Sequence, residues 1–244
     1  MIWLVLAAVL FATAAQRISG LGFGLVASPF LILAYGPASG VVLISMIGAA
    51  AATMVMIQTW RDVEWRRLAR LLPAAFVAIV VATVLLSRMD AGFAQVLAGL
   101  AVLLGLAGAG LAARVARVSV HPVAEVGFGA VSGAMGAIAG LSGPSLAALA
   151  VVSRWPQSRF LATAQPYFVV TSVVTVISRM FVTPGSWPKM SVVSRLAIVA
   201  AMLAGAGIGQ VAARWLPERA TRIAMIAISL AGATVAIVTG LRQH

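Results

Sequence analysis

Three glycines alternate at Gly20, Gly22 and Gly24 within the stretch QRISGLGFGLVASPFLILAYGP, residues 16–37, and Ser28-Pro29 follows in the same apolar run. A second stretch of this kind, GAMGAIAGLSGP, covers residues 133–144. Glycine costs a helix about 1 kcal/mol per position relative to alanine and proline about 3 kcal/mol. Two long apolar segments that carry both are built to interrupt their helices. Non-helical backbone at membrane depth is tolerated only where it is buried in protein or lines a cavity. The two stretches are therefore the centre of the molecule, and the remaining segments are the scaffold around them.

The setting is a bilayer. The chain of 244 residues is 62% hydrophobic and 9% charged, far below the roughly 25% charged residues of a soluble domain. Strands of a membrane barrel alternate in polarity; these segments are continuously apolar, so the class is an all-α polytopic membrane protein. Cysteine is absent, which excludes disulfides and thiolate metal sites. His121 and His244 are the only histidines, too few for a histidine metal site or a catalytic triad. The net charge of +12 would suit nucleic acid in a soluble protein. Here most basic residues flank apolar segments, the pattern of the positive-inside rule. The expected partners are a lipid bilayer and a small anion, with no nucleic acid. The first 15 residues lack a basic leader and a clear cleavage site, and read as part of the mature protein.

A span needs about 20 apolar residues. Candidate spans cover residues 2–34, 38–59, 73–88, 92–113, 123–152, 160–179, 195–214 and 222–241. The most charged segment, RDVEWRRLAR at 61–70, separates the second from the third. The order is duplicated. Gly20-Leu21-Gly22 falls against Gly140-Leu141-Ser142, 120 residues on, and the joints SRMDAGFAQ (87–95) and WLPERATRI (215–223) correspond. The chain reads as one membrane domain over 1–244 with two repeats, 1–117 and 118–244. Each repeat is one long glycine-interrupted segment followed by three transmembrane helices. Interrupted segments in matching positions of two halves point to a secondary transporter's binding site. Each long segment is either a broken crossing or a re-entrant hairpin. With 61–70 placed inside, the count of basic residues slightly favours re-entrance, which makes the repeats inverted.

An anion suits such breaks, because free N–H groups and the positive dipole end of a helix point at them. Glycine lets the backbone approach a ligand with no Cβ in the way. The candidate substrate-binding residues are Gly20, Gly22, Gly24, Ser28 and Pro29 at the first break, and Gly140, Ser142, Gly143, Pro144 and Ser145 at the second. Thr163, Gln165 and Tyr167 join them from the sixth span, which also carries Thr171, Ser172 and Thr175. The plainer alternative for any single glycine is tight helix packing. Arg17 precedes the first break and Arg179 closes the sixth span. Either can hold an oxyanion bidentately, although snorkelling to the interface is the more ordinary reading. Gln58 and Gln210 read as interface or packing residues. Asp62, Glu64, Asp90 and Glu218 lie in loops or joints, and Glu125 reads as a solvated helix start. No carboxylate is clearly at membrane depth, where a cation carrier or proton pump keeps one. Small-residue runs at 105–110 and 205–209 can pack inside the bundle or across a homodimer.

With these residues in place, the chain resembles the sulfite exporter TauE/SafE family. Gly20, Leu21, Gly22, Gly24 and Pro29 resemble its glycine-rich signature, with Phe23 in place of the middle glycine. Gly36-Pro37 stands at its turn, Asp62 to Arg66 resemble its short aspartate-tryptophan-arginine loop, and Pro73 leads the next span. In the second repeat Gly140, Leu141 and Gly143 hold, whereas Ser142, Pro144 and Leu149 depart from the pattern. The resemblance implies a permease in a bacterial inner membrane that moves sulfite or an organosulfur or sulfonate anion by alternating access. No cofactor is expected, since no GxxxxGK[ST] phosphate loop occurs. A passive channel for small anions or neutral solutes is the alternative. A membrane-embedded enzyme is disfavoured by the lack of a His, Asp or Glu cluster at depth. A purely structural subunit leaves the repeated breaks without a purpose.

Overall fold

The computed structural model describes residues 2–112, 121–212, 215 and 218–242. Among these the chain is all helix: α1 Ile2–Ser19, α2 Phe23–Thr59, α3 Trp65–Ser87, α4 Ala91–Ala112, α5 Pro122–Ala139, α6 Gly143–Val152, α7 Gln157–Val182, α8 Val192–Ala212 and α9 Glu218–Leu241. A 3₁₀ turn, Trp60–Asp62, precedes α3. Seven of the helices, α1 to α5 with α7 and α8, are long and apolar enough to cross a bilayer. Gly36, at φ +80°, divides α2 into a first leg of residues 23–35 and a second of 37–59. The corresponding bend between α6 and α7 uses Arg154, at φ +51°.

The expected eight segments correspond to these helices, with differences that have physical causes. The third span starts at Trp65 and not at Pro73, which lies inside α3. Leu68 and Leu71 bury one face of those added two turns while the arginines take the other, so this stretch is amphipathic and helical. The proposed repeat boundary at 117/118 lies outside the described residues, as do the end of the span at 213–214 and His244.

Contacts at the helix ends fix the direction of each element. Arg17 bonds both Gln58 and Gln210, so α1, the second leg of α2 and α8 all end on one side. On that same side α3, α5 and α7 begin, because Arg67 meets Glu125 and the Glu64 amide donates to Thr163 Oγ1. Close approach occurs through small residues. Gly205 and Gly209 of α8 sit on the Leu10 and Ala14 carbonyls of α1, and Gly129 and Gly133 of α5 sit on the Leu71 and Ala75 carbonyls of α3. Both pairs run parallel. The pair α4 and α9 runs antiparallel, with Gly240 against Gly92 and Gly99 against Ala233.

The first leg of α2 runs alongside α9, Gly22 by Met225 and Pro29 by Gly232. Likewise α6 runs alongside α4, with Pro144 by Gly105 and a groove shared by Gly110 and Val151. The first leg of α2 therefore turns back on α1, and α6 turns back on α5. Each glycine-interrupted segment is a helical hairpin whose tip is the break. At 18 residues each, α1 and α5 are about 27 Å long, close to the hydrocarbon thickness.

The 205–209 run is thus an internal packing seam, whereas Gly108 and Gly110 have nothing within 4 Å. Replacing Gly205 by leucine should cost on the order of 1–3 kcal/mol through overpacking against α1. Gly207, which faces open space two positions from each seam glycine, should accept leucine without loss. Melting temperatures of the two variants in detergent check the contrast.

Candidate functional site

Each hairpin tip is made by one left-handed glycine. Gly20, at φ +77°, donates its N–H to the Gln16 carbonyl at 2.6 Å and stops α1. Gly140, at φ +65°, donates to Gly136 at 2.7 Å, and Leu141 donates to Met135 at 3.3 Å. This αL glycine, with the 5→1 bond of the αL capping motif, ends α5. Two residues later a new helix begins at each break. The N-caps are Gly22 and Ser142, and neither has a side-chain cap hydrogen bond. The opening N–H groups of α2 and α6 have no carbonyl one turn earlier to bond.

The two tips touch. A Cβ on Gly24 would fall 2.5 Å from the Gly140 carbonyl oxygen, and one on Gly143 would fall 3.2 Å from that of Leu21. Glycine at 24 is thus required by backbone-to-backbone approach. Between the tips lies a chamber of about 50 Å³, enough for a solute of a few atoms. Its polar lining comes from Gln16, Ser45, Ser142 and Ser172, with Phe23 and Phe168 among its apolar residues and no charged side chain. Gln16 is 4% exposed and its amide oxygen has no partner. Leu21 and Gly143 also border a larger, mainly apolar vestibule of about 680 Å³, which reaches Arg154, Trp155 and Gln157 on the side where α7 begins.

Of the residues expected to bind substrate, Gly24, Gly140, Ser142 and Gly143 line the chamber. Gly20 and Gly22 lie at the first tip but face Leu161 and Met225. Gln165 is fully buried and donates to the Gly20 carbonyl at 3.2 Å, so it braces that tip. Ser145 donates to the Phe128 carbonyl, Tyr167 to that of Gly129 and Thr163 to that of Arg159, all bonds inside the bundle. Pro29 and Pro144 pack on Gly232 and Gly105, and Ser28 is buried with its hydroxyl unpartnered. Arg17 is held at 2.6 and 2.7 Å by the Gln210 and Gln58 amide oxygens and does not line the chamber.

Sequence reasoning missed Gln16 and Ser45. Gln16 had a legible signal, one helical turn before the break; Ser45 had none, because the second leg of α2 meets the tips only through the tertiary fold.

Two charged residues differ from expectation. Glu125 is 2% exposed, not a solvated helix start, and accepts from Arg67 Nε at 2.6 Å and from an Arg70 guanidinium nitrogen at 3.3 Å. The parallel packing of α3 and α5 brings the three together, and Arg67 also stacks over Trp155 at 4.0 Å. Arg179 does not snorkel. It is 3% exposed and donates to the Ala137 carbonyl at 2.8 Å, capping the negative end of α5. Among the described residues no group of His, Cys, Asp or Glu is placed to hold a metal.

Apolar helices that can cross a bilayer many times, with two hairpin tips meeting beside a partly polar chamber, define a multi-pass helical membrane protein. The chain belongs to the sulfite exporter TauE/SafE family, a family of membrane transporters, whose model matches residues 5–236. No curated protein and no solved structure matches the chain.

Removing one member of a buried ion pair leaves the partner charge uncompensated. Glu125→Gln should therefore destabilise the protein by on the order of 2 kcal/mol, the half-exposed Arg70 lessening the loss. Thermal unfolding of the variant beside the parent measures it.

Proposed function

We propose that the protein is a secondary transporter of a small anion, sulfite or an organosulfur or sulfonate anion, working by alternating access around the two hairpin tips. The observation that carries this reading is the chamber itself. The opening N–H groups and positive dipole ends of α2 and α6 converge on it, and no carboxylate lines it. Gln16 and three serines add donors that can replace the hydration shell of an oxyanion. The two halves act as inverted repeats. Support comes from pairings that recur with the halves exchanged: α1 on α8 as α5 on α3, and the first leg of α2 on α9 as α6 on α4. The helices this repeat equates, α4 with α9, run antiparallel, as inversion requires.

The side bearing Arg61, Arg66, Arg67, Arg70, Arg154 and Arg159 is cytoplasmic by the positive-inside rule, in a bacterial inner membrane. The vestibule that joins the chamber to this side is then the inward route, with Arg154 at its mouth.

Ligand that binds the native state raises its melting temperature, by about 2.7 kcal/mol of stability at one hundred times Kd. Sulfite, sulfate, thiosulfate, sulfoacetate and taurine should be compared with matched cations. A shift confined to sulfur oxyanions, reduced by Gly24→Leu or Ser142→Leu and by Gln16→Leu, is the expected result. A shift with a cation or neutral solute alone would overturn the anion assignment. Counterflow of labelled sulfite in proteoliposomes separates a carrier from a passive channel, which shows none.

A further inference from the structure

The face of α7 that lines the chamber continues to a second polar cluster. Phe168 and Ser172 border the chamber, and Thr175 and Arg179 follow at helical spacing on the same face. Arg179 lies about 10 Å beyond Ser172 along the helix, away from the side where the 61–70 segment lies. Its Nε has no hydrogen-bond partner, and no carboxylate pairs with it among the described residues. The side chains of α3 and α7 follow one another in parallel, residues 72–79 beside 170–174, which carries Thr83 to the level of Arg179. The Thr83 hydroxyl and that of Thr183, the residue closing α7, are also buried without partners.

Arg17 at the other hairpin makes the contrast plain. There Nε and one terminal nitrogen each donate to an amide oxygen, and the side chain is partly exposed. Capping α5 uses one nitrogen of Arg179 and leaves Nε idle. A buried cation without a counter-charge is costly, and ionisable groups inside a membrane bundle mark the path of an ion. An idle guanidinium edge, with idle hydroxyls at its level on α3 and one turn on at the end of α7, supplies the donor set that a pyramidal or tetrahedral oxyanion accepts.

We propose that Arg179, with Thr83 and Thr183, forms a second anion station between the chamber and the side of the membrane opposite the 61–70 segment. It takes the ion after, or before, the chamber. The identity of the ion rests on the anion reading above; the station itself rests on Arg179.

The test is equilibrium binding of ³⁵S-sulfite, with ³⁵S-sulfate in parallel, to the detergent-solubilised full chain. The expected result is a component lost in Arg179→Gln and recovered in Arg179→Lys at roughly tenfold lower affinity, since lysine keeps the charge but not the fork. That component should persist in Gly24→Leu, which disrupts the chamber. Thr83→Val, which keeps the side-chain shape, should weaken the same component, so the test does not depend on Arg179→Gln folding. Unchanged binding in Arg179→Gln and Thr83→Val, with only a lower melting temperature for the former, would reduce Arg179 to a helix cap and overturn the station. Binding lost in Gly24→Leu but retained in Arg179→Gln would overturn the station and leave the chamber. Binding lost in Arg179→Gln but wholly retained in Gly24→Leu would support the station and sink the chamber reading.

Discussion

A helix that ends inside a bilayer leaves backbone N–H and C=O groups with no water to satisfy them, and this molecule ends four helices at one place. The contact of Gly24 with the Gly140 carbonyl, and of Gly143 with that of Leu21, is how the four ends coexist. Left-handed glycines close α1 and α5, and the first residues of α2 and α6 border one shared chamber. Any Cβ at position 24 would separate the tips and open that backbone to its surroundings. The rest of the bundle supports this arrangement. Gly129 and Gly133 let α5 seat on α3, and Gly205 and Gly209 let α8 seat on α1, so both hairpins are held along their outer helices by backbone-level contact.

Charge is distributed to match. The chamber contains none, so its field comes from oriented peptide dipoles and neutral polar groups. Formal charges are kept at the hairpin bases and flanks. Glu125 with Arg67 and Arg70 ties the base of the second hairpin to α3, while Arg17 ties the first hairpin to the ends of α2 and α8 through neutral amides. The second hairpin therefore has an ionic anchor, and the first has a softer polar one.

How much of this could be read in the residues divides by range. The breaks were legible because their chemistry is local: glycine takes the left-handed conformation seen at Gly20 and Gly140 without Cβ strain, and proline and glycine mark where a helix is weakest. The chamber residues Gly24, Ser142 and Gly143 followed from adjacency to those breaks. Ser45, and the partners of Arg17, did not, because each depends on which helix lies beside which. Glu125 shows the same limit from the other direction. An acid at a helix start looks solvated until a parallel neighbour brings two arginines over it, and nothing in its own segment announces α3.

By itself the sequence determined the class, the number and approximate bounds of the apolar segments, and the two points of interruption, since each depends on hydrophobicity and backbone conformation within one stretch of chain. Only the tertiary structure decided that each interrupted segment is a hairpin and not a crossing. That choice turns on whether the first leg of α2 packs on α9 and α6 on α4. It likewise decided that the tips meet, and that one arginine is paired while another is buried with an idle edge. Those outcomes depend on side-chain and backbone contacts between residues far apart in the chain, from 41 positions for Arg17 and Gln58 to 193 for Arg17 and Gln210, which no local periodicity encodes.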